Sequence, residues 1–208
     1  MSSDPERTEA ESTRAKIINA AVEEFAEYGK AGSRVDRIAG RAGVNKAMIY
    51  YHFQSKDNLY DETISDRITS VAQRIYDRVV KLDTLRDVIG AILESHTMIF
   101  TANPALRKIM LRELANDDSA IIDKVGETFR RSGVPEVLRM RLLDGVKSGH
   151  LRNVNVLHTM TSLISMSVGF FLMLPIMQRV MEFPDAEKMI AERKEAVVDL
   201  LLNGVLAR

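Results

Sequence analysis

Residues 33–53, SRVDRIAGRAGVNKAMIYYHF, read as two short helices joined by a tight corner. Ser33 is placed to cap the first helix, because a hydroxyl can accept a backbone N–H that has no partner inside the helix. Val35, Ile38, Ala39 and Ala42 fall three or four apart and make one apolar stripe. Gly43 breaks that pattern, and glycine takes positive φ at little cost, as a corner between helices requires. The second helix, about 45–53, is expected to hide Met48, Ile49 and Phe53. Asn45, Lys46, Ala47, Tyr50, Tyr51 and His52 are left to face outward.

A cation, an amide, two phenols and an imidazole within eight positions are unusual for a merely solvated face. Such groups donate to phosphates and read base edges. From Tyr28 to Lys56 there are six Lys or Arg (30, 34, 37, 41, 46 and 56) against one acid, Asp36, a net charge of +5. The 208-residue chain carries 29 charges of each sign, so the remainder is −5. Positive charge is concentrated at the helix pair, as a polyanionic partner requires.

The run IAGRAGVNKAMIYYHFQSKDNLY (38–60) resembles the DNA-binding domain of the TetR family of bacterial transcriptional regulators. Ile38, Ala39, Ala42, Gly43, Val44, Tyr50, His52, Phe53 and Lys56 carry the resemblance, and AAVEEFAEYG (20–29) resembles that family's first helix. The likeness covers about residues 12–60. Arg34-Val35 departs from the family pattern, in which a second Ser or Thr commonly follows Ser33. The resemblance implies an all-α chain. A disordered arm (1–11) precedes a three-helix DNA-binding domain with a helix-turn-helix (12–60), which a long helix joins to a helical ligand-binding and dimerisation domain (61–208). Ser33, Arg34, Asn45, Lys46, Ala47, Tyr50, Tyr51, His52 and Lys56 are the expected DNA-binding residues, with Arg34 and Lys56 on the phosphates.

Outward from the motif, the N-terminal MSSDPERTEAES has no apolar run of signal-peptide type. Helix 1 is expected from about Thr13 to Tyr28, with Ile17, Ala21 and Phe25 on its inner stripe and Gly29 at its exit. Helix 4 opens at Ser55-Lys56-Asp57, where Ser55 can cap it and its free N–H groups form an anion site. Ile64, Ile68, Val71, Ile75 and Val79 carry it to about Val80, so one rod begins at the DNA-binding end and continues into the second half. Beyond it the pattern stays helical, at about 84–101, 104–115, 118–131, 134–148, 154–181 and 185–206, with breaks at Asn103-Pro104, Asn116-Asp117-Asp118, Ser132-Gly133, Gly149 and Pro184. The glutamate pair Glu23-Glu24 reads as a solvated face.

Val154 to Gln178 holds no formally charged residue over 25 positions. A helix apolar on every side is buried in a core, an interface or a membrane. Interspersed Asn155, His158, Thr159, Thr161, Ser162, Ser165 and Ser167, with Pro175, favour an interface. In the family resembled, the last two helices pair with their twofold copies, which implies a homodimer through about residues 154–206 and a near-palindromic, inverted-repeat operator.

The chain has no cysteine, so thiolate chemistry and disulfides are excluded, and a reducing, cytoplasmic setting fits. The four histidines (52, 96, 150 and 158) hold no i, i+4 pair, and no phosphate loop, nucleophile elbow or dinucleotide motif is present. No enzyme activity, cofactor or metal is expected. Met98, Met110, Met140, Met160, Met166, Met173 and Met177, with Phe100, Phe129, Phe170 and Phe171, can line a cavity for an apolar effector. The implied function is a ligand-responsive repressor. An all-α enzyme using that cavity, and a DNA-binding module with no effector, are the other two classes the residues leave open.

Overall fold

The computed structural model describes residues 5–116, 119–180 and 185–206. The breaks expected at Asp117-Asp118 and Pro184, and the first four residues of the expected arm, lie outside them. Among the described residues there are ten helices and no strand: α1 Pro5–Gly32, α2 Val35–Ala42, α3 Lys46–Phe53, α4 Lys56–Val79, α5 Leu85–Ala102, α6 Pro104–Asn116, α7 Ser119–Ser132, α8 Val134–Lys147, α9 Val156–Val180 and α10 Ala186–Val205. An isolated antiparallel bridge, Leu151 to Leu206, is the nearest approach to a sheet. Most boundaries fall within two residues of those read from periodicity. Helix 1 is the exception, opening at Pro5 rather than Thr13. Proline is pre-set for the first helical turn.

Two compact units divide the chain: residues 1–69 with 103–126, and residues 70–102 with 127–208. The first unit therefore takes in α6 and part of α7, which a boundary at 60/61 assigns to the second half. Its core gathers Ile17, Ala21 and Phe25 of α1, Val35, Ile38 and Ala39 of α2, Ile49 and Phe53 of α3, and Leu59, Tyr60 and Ile64 of α4, all buried. Phe25 meets Tyr60 edge to face, with ring centroids 4.7 Å apart. Two side chains of α6 close this core. Glu113 accepts the Tyr60 hydroxyl in a buried hydrogen bond. Arg112 donates to the carbonyls of Phe25 (2.8 Å) and Ala26 (3.3 Å), in the last turn before α1 breaks at Gly29 (φ +70°). Carbonyls in the last turn before a helix break are the ones most open to such an outside donor.

In the second unit the buried apolar residues include Val71, Ile75 and Val79 in the tail of α4, Val88, Ile92 and Leu93 of α5, Leu138 and Leu142 of α8, and Val197 and Val198 of α10. Buried His96 of α5 meets Ser167 of α9 through Nδ1 at 2.8 Å, and Phe100 stacks on Phe171 at 5.1 Å. With no charged partner in that core, burial depresses the imidazole to about 4. His96 is thus a satisfied core side chain. A cleft of about 330 Å³ is lined by Tyr76, Val80, Val137 and Met140, among others. Another of about 390 Å³ has Met166, Leu200, Leu201 and Val205 in its wall. Met140 and Met166 therefore face clefts, whereas Met98 is exposed to solvent.

Helix α9 is long and apolar enough to cross a membrane by length and composition alone, with a mean hydropathy of 1.8 over its best window. It turns Leu163, Phe170 and Phe171 inward and leaves Leu157 (70% exposed), Ile164, Met173, Ile176 and Val180 uncovered. Leu200 of α10 is 62% exposed.

Candidate nucleic-acid interface

The corner between α2 and α3 is closed by the backbone. Val44 N–H donates to Ala39 O at 3.1 Å and Gly43 N–H to Gly40 O at 3.3 Å, with Gly43 left-handed at φ +67°. This paired closure of a helix C-terminus needs a residue that tolerates positive φ. Asn45 then caps α3: its Oδ1 accepts Ala47 N–H at 2.9 Å. Within α3, Ile49 and Phe53 are buried four residues apart and anchor the helix to the core. Asn45, Lys46, Ala47, Tyr50 and Tyr51 are exposed, Tyr51 at 75%.

Two readings of this helix are corrected. Met48 is 37% exposed rather than hidden, because Ile49 and Phe53 alone fill the inner stripe of an eight-residue helix. His52 is half-buried, packed edge to face on Tyr51 at 5.2 Å, and its Nε2 is enclosed without a hydrogen-bond partner.

The start of α2 differs more. Ser33 is not its cap: it is 4% exposed and its hydroxyl donates to Lys30 O at 2.9 Å. Arg34 holds the cap position without any side-chain cap of its own. The cap comes from α1. Glu24, fully buried, accepts Arg34 N–H at 3.0 Å and Arg37 Nε–H at 2.6 Å. Reading Glu24 as part of a solvated face is therefore wrong. Arg37 also donates to Gly32 O at 2.8 Å and lies over the Tyr28 ring at 4.1 Å. One buried carboxylate, supplied with a backbone and a guanidinium donor, thus fixes the entry to the helix pair. Its spacing was visible: Glu24 follows Ala21 by three on the inner stripe of α1. Its partners were not.

The cationic surplus is largely spent within the first unit. Arg41 pairs with Glu27 at 2.7 Å, Lys30 with Asp57 at 3.5 Å, and Lys46 with Asp36 at 2.8 Å. The Asp36 carboxylate is held below its usual range by hydrogen bond and charge from Lys46, and the Lys46 ammonium is raised correspondingly. Lys56 donates to the carbonyls of Ala31 and Ser33, both at 3.3 Å, and so ties α4 to the exit of α1. Ser55 caps α4 as expected, its hydroxyl accepting Asn58 N–H at 3.0 Å. Among the described residues, the Arg34 side chain is exposed and makes no hydrogen bond or ion pair. No cluster of three or more His, Asp or Glu suited to a metal occurs among the described residues.

Residues 17–63, which contain this helix pair, match the model of bacterial regulatory proteins, tetR family. The chain carries, at residues 17–63, a domain that matches that family. The chain is 34% identical over 103 residues to the HTH-type transcriptional repressor SCO4008 of Streptomyces coelicolor, a stretch that spans 50% of each protein. Its fold is similar to that of the transcriptional regulator FadR from Bacillus subtilis in complex with stearoyl-CoA, with a TM-score of 0.75 and 21% identity over 91% of this chain and 98% of that one. It is similar also to the TetR-family regulator PfmR from Thermus thermophilus, with a TM-score of 0.69 and 25% identity over 94% and 97%. Each of the three carries a regulator's name.

Proposed function

We propose that this chain is a transcriptional repressor that binds a near-palindromic operator as a homodimer and is released by an apolar small molecule. The observation that carries the reading is the face of α3: Asn45, Lys46, Tyr50 and Tyr51 stand exposed on a short helix held by Ile49 and Phe53 behind a glycine corner. A helix of that kind fits the major groove, where amides, ammonium groups and phenols meet base edges and phosphates. Arg34 stands ready for the phosphate backbone beside it. The uncovered apolar faces of α9 and α10 suit a twofold partner, and a twofold pair of such helices reads half-sites about 34–36 Å apart or a multiple of that. They suit it better than a membrane, since α9 already seats Leu163, Phe170 and Phe171 in a core shared with α5 and α10. A cytoplasmic location follows.

An apolar effector is supported by the cleft beside Tyr76, Val80, Val137 and Met140 in the second unit and by the FadR structure of similar fold, which holds stearoyl-CoA. Helix α4 contributes residues to both units, so a ligand that repositions its tail acts on the rod that begins at Lys56. Such a ligand works only through differential affinity for the two states, and moving a 1:99 population to 99:1 takes about 5.5 kcal/mol.

Selection of bound duplexes from a random library tests the reading: an inverted repeat should emerge, and binding to it should weaken with added salt. Enrichment of no sequence would overturn it. Lys56→Ala should weaken binding to all duplexes and flatten the logarithmic salt dependence by about 0.9. An unchanged slope, with lowered thermal stability, would leave Lys56 only its contacts to Ala31 and Ser33.

A further inference from the structure

Asp36 is the single acid between Tyr28 and Lys56, and it is 57% exposed on the first turn of α2. Its carboxylate lies 2.8 Å from the ammonium of Lys46, the first residue of α3. Arg34 is within electrostatic reach of both groups, and Tyr50 within reach of Lys46. An acid at this place is costly for a surface that meets phosphates, since its charge repels the polyanion. It is not needed to cap α2, because Glu24 does that from behind.

We propose that Asp36 is a positioning residue for DNA recognition: it holds the Lys46 ammonium at the start of α3 so that Lys46 serves base readout and contributes little to sequence-blind phosphate attraction. The inference rests on the DNA-binding reading above. A lysine on a free four-carbon stem is a mobile point charge, drawn to whichever phosphate is near. Held by Asp36, it must uncover a carboxylate to follow one. An ammonium has three N–H donors, so one can stay on Asp36 while the others reach acceptors in the groove. Residues at the start of a recognition helix meet base edges, and guanine offers O6 and N7 there as paired acceptors. The acid thus lowers affinity for every duplex and lowers it least where the correct base is present.

The test titrates the full-length protein against its selected operator and a scrambled duplex over a salt series. Wild type is compared with Asp36→Asn, Lys46→Ala and the double variant. Asp36→Asn should tighten binding to the scrambled duplex and steepen its salt dependence by about 0.9, one phosphate contact. Its ratio of operator to scrambled affinity should fall about fivefold, the lower end of what one good base contact is worth. In the Lys46→Ala background the same substitution should leave that ratio unchanged, because charge removal alone acts on both duplexes equally. An unchanged ratio in Asp36→Asn, or an equal fall with and without Lys46, overturns the inference while wild-type operator binding keeps the DNA-binding reading intact. A wild type that discriminates no sequence overturns both.

Discussion

Glu24 shows how much one side chain can carry when it is sealed from water. Its carboxylate holds Arg34 N–H and the Arg37 guanidinium, and Arg41 lies at 3.6 Å from its other oxygen. Glu24→Ala should destabilise the first unit by about 1–3 kcal/mol, less than for a fully buried pair because Arg37 is partly solvated. Urea denaturation measures it. Glu24→Gln, which keeps an acceptor for Arg34 N–H, should recover part of the loss. Position 24 was legible as inward-facing from its spacing on α1, but an acid there reads as surface until its donors are known. Both donors lie ten or more residues away, beyond any helical period. His96 offers a second test. The unfolded imidazole takes a proton near pH 6.5, while the folded one resists until about 4. The unfolded chain therefore binds more protons in that window. The stability present above pH 6.5 should fall as pH drops toward 4, by on the order of 3 kcal/mol. Stability measured across that window should lose most of this slope in His96→Gln, and an equal slope would assign it to other groups.

At the scale of elements, two glycine corners separate backbone strain from crowding. A Cβ at Gly43 would meet nothing within 4 Å, so Gly43→Ala should cost only its φ of +67°, about 1 kcal/mol. At Gly133 the same atom would stand 2.8 Å from the Tyr76 ring of α4, with φ +80°, so Gly133→Ala should cost more. Thermal melts of the two variants should rank Gly133→Ala below Gly43→Ala, and the reverse order would deny the close packing of the α7–α8 corner on α4. The helices themselves were plain in the sequence, since apolar residues every three or four positions and glycine or proline at breaks place most ends within two residues. The caps were less plain. Asn45 and Ser55 cap the helices that follow them. Ser33, with equal local credentials, turns to Lys30 O, because a buried carboxylate already occupies the N-terminus of α2. Local rules fail where a distant residue reaches into the same helix terminus.

For the whole molecule, neutrality conceals division of charge: the motif holds the surplus cations, and α9 holds almost none. The uncharged run reads as an interface because small polar residues interrupt it, and the structure leaves Leu157, Ile164, Met173, Ile176 and Val180 of α9 uncovered. Leu200→Glu, at a 62%-exposed position on α10, should shift sedimentation toward a single chain and weaken operator binding cooperatively. A sedimentation profile identical to wild type would place the dimer contact elsewhere. The boundary between units was not legible, because nothing in the pattern of α6 says which core it joins. That decision is made by Arg112 and Glu113, two polar side chains reaching Phe25, Ala26 and Tyr60. Hence the reading head cannot be excised with one cut. A fragment ending at residue 69 would lack α6, and with it the Arg112 and Glu113 hydrogen bonds to Phe25, Ala26 and Tyr60. Chimeras that graft this head onto a foreign sensor at a single junction should express poorly. A working graft would have to carry residues 103–126 along with the first 69.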